Sequence, residues 1–181
     1  VIVFTVRRDV DSLFKGVPDS IPVITVYNRP ENRGSSLNID EGEAISEALN
    51  RLISTGCRKI AYVDSCRSGG RRYYTLEVRK ETVMSSIDKL SDIQDAFCID
   101  ESKLEVLEKT AREDARIGIF FYNDYAALRA LMRFNSAKSL VPGPVSMIGF
   151  DNLELCRMTT PSLSSIGCSR VRLGKLAFDK L

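Results

Sequence analysis

The sequence predicts an α/β protein built on a doubly wound parallel sheet, and three observations carry that reading. Short β-rich runs alternate with amphipathic helical patterns along nearly the whole chain, the order expected of strand-helix-strand units with right-handed crossovers. Strands such as IAYV and IGIFF are continuous apolar runs rather than alternating ones, as expected when helices cover both sheet faces. Polar pairs follow three of these runs directly: Asp64-Ser65, Asn123-Asp124 and Asp151-Asn152.

The strand candidates are residues 1–6, 22–27, 59–63, 95–99, 117–122, 145–150 and 164–168. The clearest helix is 41–55, where Ala44, Ile45, Ala48, Leu49, Leu52 and Ile53 form one stripe. Asp40 is placed to cap it, Glu43 to complete a capping box, and Gly56 to end it. Residues 76–90 repeat the pattern with Leu76, Val83, Ile87 and Leu90, and 103–113 with Leu104, Leu107 and Ala111. A fourth helix, 125–134, uses Leu128, Leu131 and Met132, and a short one is expected at 152–156. Linkers are expected at Glu31–Ser36 and Met158–Pro161.

Composition sets limits on function. The chain has 181 residues, 44% hydrophobic and 28% charged, which is enough for one good core or two small lobes. A net charge of +2 does not indicate a non-specific polyanion binder. No apolar run approaches the ~20 residues that cross a bilayer. The five cysteines, Cys57, Cys66, Cys98, Cys156 and Cys168, show no C-x-x-C spacing and read as reduced, buried thiols of a cytosolic protein. Histidine is absent, which removes the commonest general base and metal ligand, and no metal site or cofactor is expected. The chain opens directly on a strand and closes inside an apolar helical pattern, as expected of a fragment.

In an open parallel sheet, ligands bind at the carboxyl ends of the strands. Asn123 and Asp151 fall there. Arg79 lies three residues after Leu76 and four before Val83, so helical spacing puts it on the apolar stripe. An inward guanidinium needs carboxylate or ligand partners, and Asp151 and Asp40 are suited to the part. Each residue also has a plain structural use: Asn123, Asp124 and Asp151 as helix caps, Arg79 as a snorkelling side chain. The loop Arg67–Tyr74 (RSGGRRYY) lacks the G-x-x-x-x-G-K-[ST] spacing and reads as a solvated turn, with Tyr73 and Thr75 facing the cleft from its end. No nucleophile elbow, phosphate loop or histidine dyad is present, so an enzyme is not expected. Arginine, aspartate and asparagine near Phe150, Tyr122 and Tyr125 form instead a hydroxyl-binding set, with ring faces to cover the apolar side of a polyol.

The run VPGPVSMIGFDNLELCRMTTPSLSSIGCSRVRLGKLAFDKL resembles the end of the effector-binding core of lactose-repressor/galactose-repressor (LacI/GalR) family transcription regulators. IPVITVYNRP, LNIDEGEAISEALNRLISTGCRKIAYV and IGIFFYNDYAALRALM are similar to the family's other segments, in the same order. The resemblance implies a bilobed fold of the type I periplasmic-binding-protein kind, with an effector, a sugar by preference, bound between lobes that close on it. Residues 1–37 would be part of the first lobe, 38–167 a nearly complete second lobe, and 168–181 a return segment into the first. It implies ligand contacts at Arg79, Asn123 and Asp151, with Tyr73, Thr75 and Asp40 as weaker correspondences and Asp40 orienting Arg79. Thr82 stands where the family has glycine, which puts the pocket's shape beside Arg79 in question. It also implies a cytoplasmic homodimer that meets operator DNA through a helix-turn-helix outside this chain. Leu173, Leu176 and Leu181 are then expected to expose apolar surface. The competing reading is a periplasmic or secreted sugar-binding protein of a transport system, which shares the fold.

Overall fold

A computed structural model of the protein describes residues 1–5, 9–65, 73–113, 116–136 and 140–181. The chain divides into two compact units. The larger comprises Glu41–Ser68 and Arg79–Gly167, and the smaller Val1–Asp40, Gly69–Val78 and Cys168–Leu181.

The smaller unit holds β1 (Ile2–Phe4), β2 (Ile24–Val26) and β3 (Ser35–Leu37) in a parallel sheet of order β1-β2-β3. β3 falls where a linker was expected. Its serines carry no apolar signal, and it is recruited through backbone pairing, helped by the Thr25 hydroxyl donating to the Ser35 carbonyl at 3.3 Å. Gly34 precedes it at φ 91°, where a Cβ would fall 2.7 Å from the Val23 carbonyl oxygen, so only glycine fits the turn. Val10, Phe14 and Val23 form one apolar cluster, and Val26, Leu173 and Ala177 another. Leu173 is therefore buried, contrary to expectation, whereas Leu176 and Leu181 are exposed.

In the larger unit α1 (Gly42–Ser54), β4 (Lys59–Asp64), α2 (Tyr74–Ile87, entered from the smaller unit), β5 (Asp95–Asp100), α3 (Leu104–Glu113), β6 (Ile117–Phe121), α4 (Asp124–Ser136), β7 (Val145–Phe150) and β8 (Ser164–Ile166) follow in order. The five strands are parallel, in the order β5-β4-β6-β7-β8. Side chains alternate across each strand and sort the core into two layers. Ala61, Val63, Ile119 and Phe121 pack with Leu107 of α3 and Leu131 and Phe134 of α4. Ile60, Tyr62, Phe120 and Phe150 pack with Leu49 and Leu52 of α1 and Val83 and Ile87 of α2. The doubly wound sheet read from the continuous apolar strands is the observed one.

α1 begins at Gly42, so its cap falls one residue beyond the expected Asp40. Glu41 occupies the capping position, and its side chain caps no helix N–H. The 158–161 stretch, expected as a linker, runs inside the larger unit, tied by Asn135 Nδ2 donating to the Thr160 carbonyl at 3.3 Å and by buried Leu163. The expected short helix after Asp151 is a 3-10 turn over Glu154–Arg157. The final helix, α5, spans Arg170–Asp179, and the Ser169 hydroxyl caps it by accepting from Arg172 N.

Phe120 is fully buried and stacks on Tyr62 with ring centroids 6.2 Å apart. Phe120→Ala is expected to lower unfolding free energy by about 3–5 kcal/mol, read from the shift of a urea midpoint at constant slope.

Candidate functional site

The inward face of α2 sets the site. Arg79 is only 7% exposed and shares its stripe with buried Val83 and Ile87. Its guanidinium is held on three sides. Nε and Nη2 donate to the two carboxylate oxygens of Glu41 at 2.8 and 2.7 Å. Nη1 donates to the Tyr122 carbonyl at 2.6 Å. The plane lies over the Phe150 ring, with Cζ 3.4 Å from its centroid. Tyr122 and Phe150 sit at the carboxyl ends of β6 and β7, so the groups that hold the guanidinium directly precede Asn123 and Asp151 in the chain.

Glu41 was not singled out from the sequence, where the neighbouring Asp40 drew attention as the nearer match to a capping pattern. The one signal for Glu41 was a carboxylate at a helix start. Asp40, Tyr73 and Thr75 belong to the smaller unit, while Arg79, Asn123 and Asp151 belong to the larger. Asp40 and Tyr73 are exposed and Thr75 is half-buried. Of the arginine-glycine loop, residues 67–72 lie outside the described residues, as does Cys66. Thr82, in the family's glycine position, is half-buried in an unbroken α2.

Asn123 caps α4, its Oδ1 accepting from Ala126 N at 2.9 Å. Asp124, read from the sequence only as a cap, is an anchor. It is fully buried; Oδ2 accepts from Leu153 N at 2.8 Å and Oδ1 from the Ser165 hydroxyl at 2.6 Å. These bonds hold the turn after β7, in which Asp151 and Asn152 have φ of 114° and 49°. Such angles are costly for residues with a Cβ and are kept only where the surroundings impose them. Asp151 N donates to the Ile166 carbonyl at 2.7 Å and Asn152 N to the Ser165 hydroxyl at 3.0 Å. Gly149 is required because a Cβ there would fall on the Asp124 carboxylate.

The aromatic side chains are committed differently from the expectation of a polyol-covering surface. The Phe150 ring carries the guanidinium itself, because that is the nearest cation above it. The Tyr122 hydroxyl donates to Glu101 Oε2 at 2.8 Å, and Arg129 pairs with the other oxygen of Glu101. Tyr125 stays exposed. At the end of β4, Asp64 pairs with Lys80 at 3.0 Å; burial works against that ammonium, yet its hydrogen bonds with Asp64 and Cys98 hold it above its usual range. The Tyr62 hydroxyl is buried with no hydrogen-bond partner among the described residues, and burial pushes it up while the nearby Arg79 pulls it down.

Among the described residues, no group of three or more acidic, cysteine or histidine side chains could hold a metal ion. All four described cysteines are free, and two of them, Cys98 and Cys168, are exposed rather than buried as expected, since they lie on a sheet edge and outside the packed strands. No described helix is long and apolar enough to cross a membrane. An open depression of about 510 Å³ in the smaller unit is lined by Asp11 and Arg33, but both are spent on local backbone. Asp11 accepts from Glu31 N and Asn32 N, and Arg33 donates to the Val17 and Ile21 carbonyls.

Gly149→Ala is expected to cost about 1–3 kcal/mol of stability through overpacking against Asp124, measured by urea denaturation. A pH dependence follows from two raised groups. Burial, then the Glu101 carboxylate, pushes the Tyr122 phenol up to about 12 from 10.0, and burial, then Asp124, pushes the Cys156 thiol up to about 12 from 9.0. The folded protein thus holds both protons more tightly than the unfolded chain. The resulting stability is whole below the ordinary thiol value and is lost as pH climbs towards about 12. Urea midpoints taken across that window should fall with pH, and Tyr122→Phe should flatten the fall.

The periplasmic binding protein-like domain family matches residues 49–181. The HTH-type transcriptional repressor PurR of Aliivibrio salmonicida is 29% identical over 168 residues, covering 89% of this chain and 50% of the relative. That of Photobacterium profundum is 35% identical over 151 residues, covering 80% and 43%. The chain spans about half the length of these curated relatives. A LacI family transcriptional regulator from Arthrobacter superposes with a TM-score of 0.79 at 20% identity, covering 98% of this chain and 66% of that one, and it has also been solved in complex with lactose. At that identity the likeness concerns the fold. Regulators of this kind are not enzymes. The parallel sheets and the match over residues 49–181 together place the chain in the periplasmic binding protein-like domain family.

Proposed function

We propose that this domain senses a small, hydroxyl-rich effector, a sugar, and that the whole protein converts that binding into a change in operator occupancy. The observation that carries the reading is Arg79: a buried guanidinium, oriented by Glu41, Tyr122 and Phe150 at the carboxyl ends of β6 and β7. A guanidinium has five N–H donors, and three are used here, so one on Nη1 and one on Nη2 remain for a ligand. Asn123 and Asp151 supply further polar groups on adjacent strand ends. Fixed donors of this kind suit vicinal hydroxyls. Tyr73, Thr75 and Asp40 enter the proposal on the family resemblance alone, as does the division into a partial first lobe (1–37 and 168–181) and a second lobe (38–167). A cytoplasmic homodimer meeting DNA through a separate helix-turn-helix completes the proposal.

The test is calorimetric titration with ribose, xylulose and lactose, compared with Arg79→Lys. Lysine keeps the charge but loses the planar, bidentate geometry. At least one sugar is expected to bind the wild type, with affinity falling by about 10- to 100-fold in the variant. Failure of every sugar would overturn the sugar reading. Equal affinity in Arg79→Lys would remove Arg79 from the site.

A further inference from the structure

We propose that Glu41 sets the charge class of the effector, admitting neutral polyols and turning away phosphorylated or carboxylated ones. The inference rests on the reading that Arg79 meets the effector, and it asks what an arginine so held can still offer.

An arginine with free edges is the usual partner of a phosphate or carboxylate, which it grips through two parallel N–H bonds. In this protein one such edge, Nε with Nη2, is already gripped by a carboxylate. Glu41 fills it at 2.8 and 2.7 Å, and both side chains are close to fully buried, at 8% and 11% exposed. An incoming anion at the remaining N–H groups would therefore meet a guanidinium whose charge is offset by the Glu41 carboxylate on its other edge. What remains is one N–H on Nη1 and one on Nη2. Nη1 is tied to the Tyr122 carbonyl, and the Phe150 ring covers one side of the plane. Among the described residues, the buried Asp124 at the neighbouring strand end adds negative charge rather than positive. A phosphate would lose its hydration without a net positive charge from the Arg79–Glu41 pair to compensate. A hydroxyl carries no such penalty and needs only a donor or acceptor in place.

Glu41 is in this sense a positioning and specificity residue: it aims the guanidinium and cancels its charge. The distinction matters because a merely structural role would affect all ligands equally, whereas charge cancellation affects anions alone.

The experiment uses inorganic phosphate as a probe independent of the sugar's identity, alongside D-ribose and its phosphate monoester. Binding is read by calorimetry on the wild type, Glu41→Gln and Glu41→Asp. The wild type should show no saturable phosphate binding. Glu41→Gln should gain a phosphate site, strengthening phosphate affinity by about tenfold or more, since removing one charge of a close buried pair unmasks the other. Glu41→Asp, which keeps the charge, should still reject phosphate. Saturable phosphate binding by the wild type that disappears in Arg79→Met would overturn the proposal, and this arm decides alone if Glu41→Gln does not fold. A folded Glu41→Gln with no gain in phosphate affinity would overturn it as well. If no sugar binds the wild type, the sugar reading falls while the phosphate arms still decide the role of Glu41.

Discussion

The candidate site in this domain depends on a buried guanidinium. Burying a charge is costly, and the cost is met only when each exposed edge of it is answered. Arg79 is answered by a carboxylate at the start of α1, a carbonyl at the end of β6 and a ring at the end of β7. One side chain thus ties together a helix start and two strand ends that are distant in sequence. A buried ion pair of this sort adds little net stability over apolar packing, yet losing one partner costs about 3–5 kcal/mol. Its value lies in position. A side chain held on three sides has no rotamer freedom left to lose when a ligand binds.

A second buried charge does comparable work on the backbone. Asp124 holds the turn that follows β7, in which two residues with side chains sit at positive φ. The strain at Asp151 is maintained by the Asp124 carboxylate, the Ser165 hydroxyl and the Ile166 carbonyl together. The same carboxylate explains the glycine of the Gly149-Phe150-Asp151 run: Asp124 occupies the space a side chain would need. Phe150 carries the guanidinium, and Asp151 takes the positive φ of the turn and donates its N–H to the Ile166 carbonyl. Each letter of that run therefore has a separate physical reason.

Much of this was legible in the sequence because it rests on periodicity. Continuous apolar strands announced a sheet covered on both faces, and Arg79 stood out because helical spacing placed a charge on an apolar stripe. What escaped notice rests on long-range pairing. Nothing local distinguishes Glu41 from Asp40 as the carboxylate on Arg79. β3 is three residues, Ser35–Leu37, with no apolar pattern, and exists because β2 offers it an edge. Leu173 was expected at the surface because a partial first lobe would leave apolar faces uncovered, but Val26 and Ala177 pack against it. Asp124 resembled an ordinary helix cap until its bonds to Leu153 and Ser165 showed it reaching across to the neighbouring turn.

The central claim is that Glu41 and its companions fix Arg79 in the ligand-free protein. Its most direct test is the arginine Nε–Hε region of a nitrogen–proton NMR spectrum without any effector. A guanidinium held as described should give a single sharp Arg79 Hε resonance, shifted downfield by the carboxylate and slow to exchange with water at neutral pH. A broad Arg79 signal that exchanges as fast as those of exposed arginines would show a side chain free to rotate, and the account of a preformed site would fail.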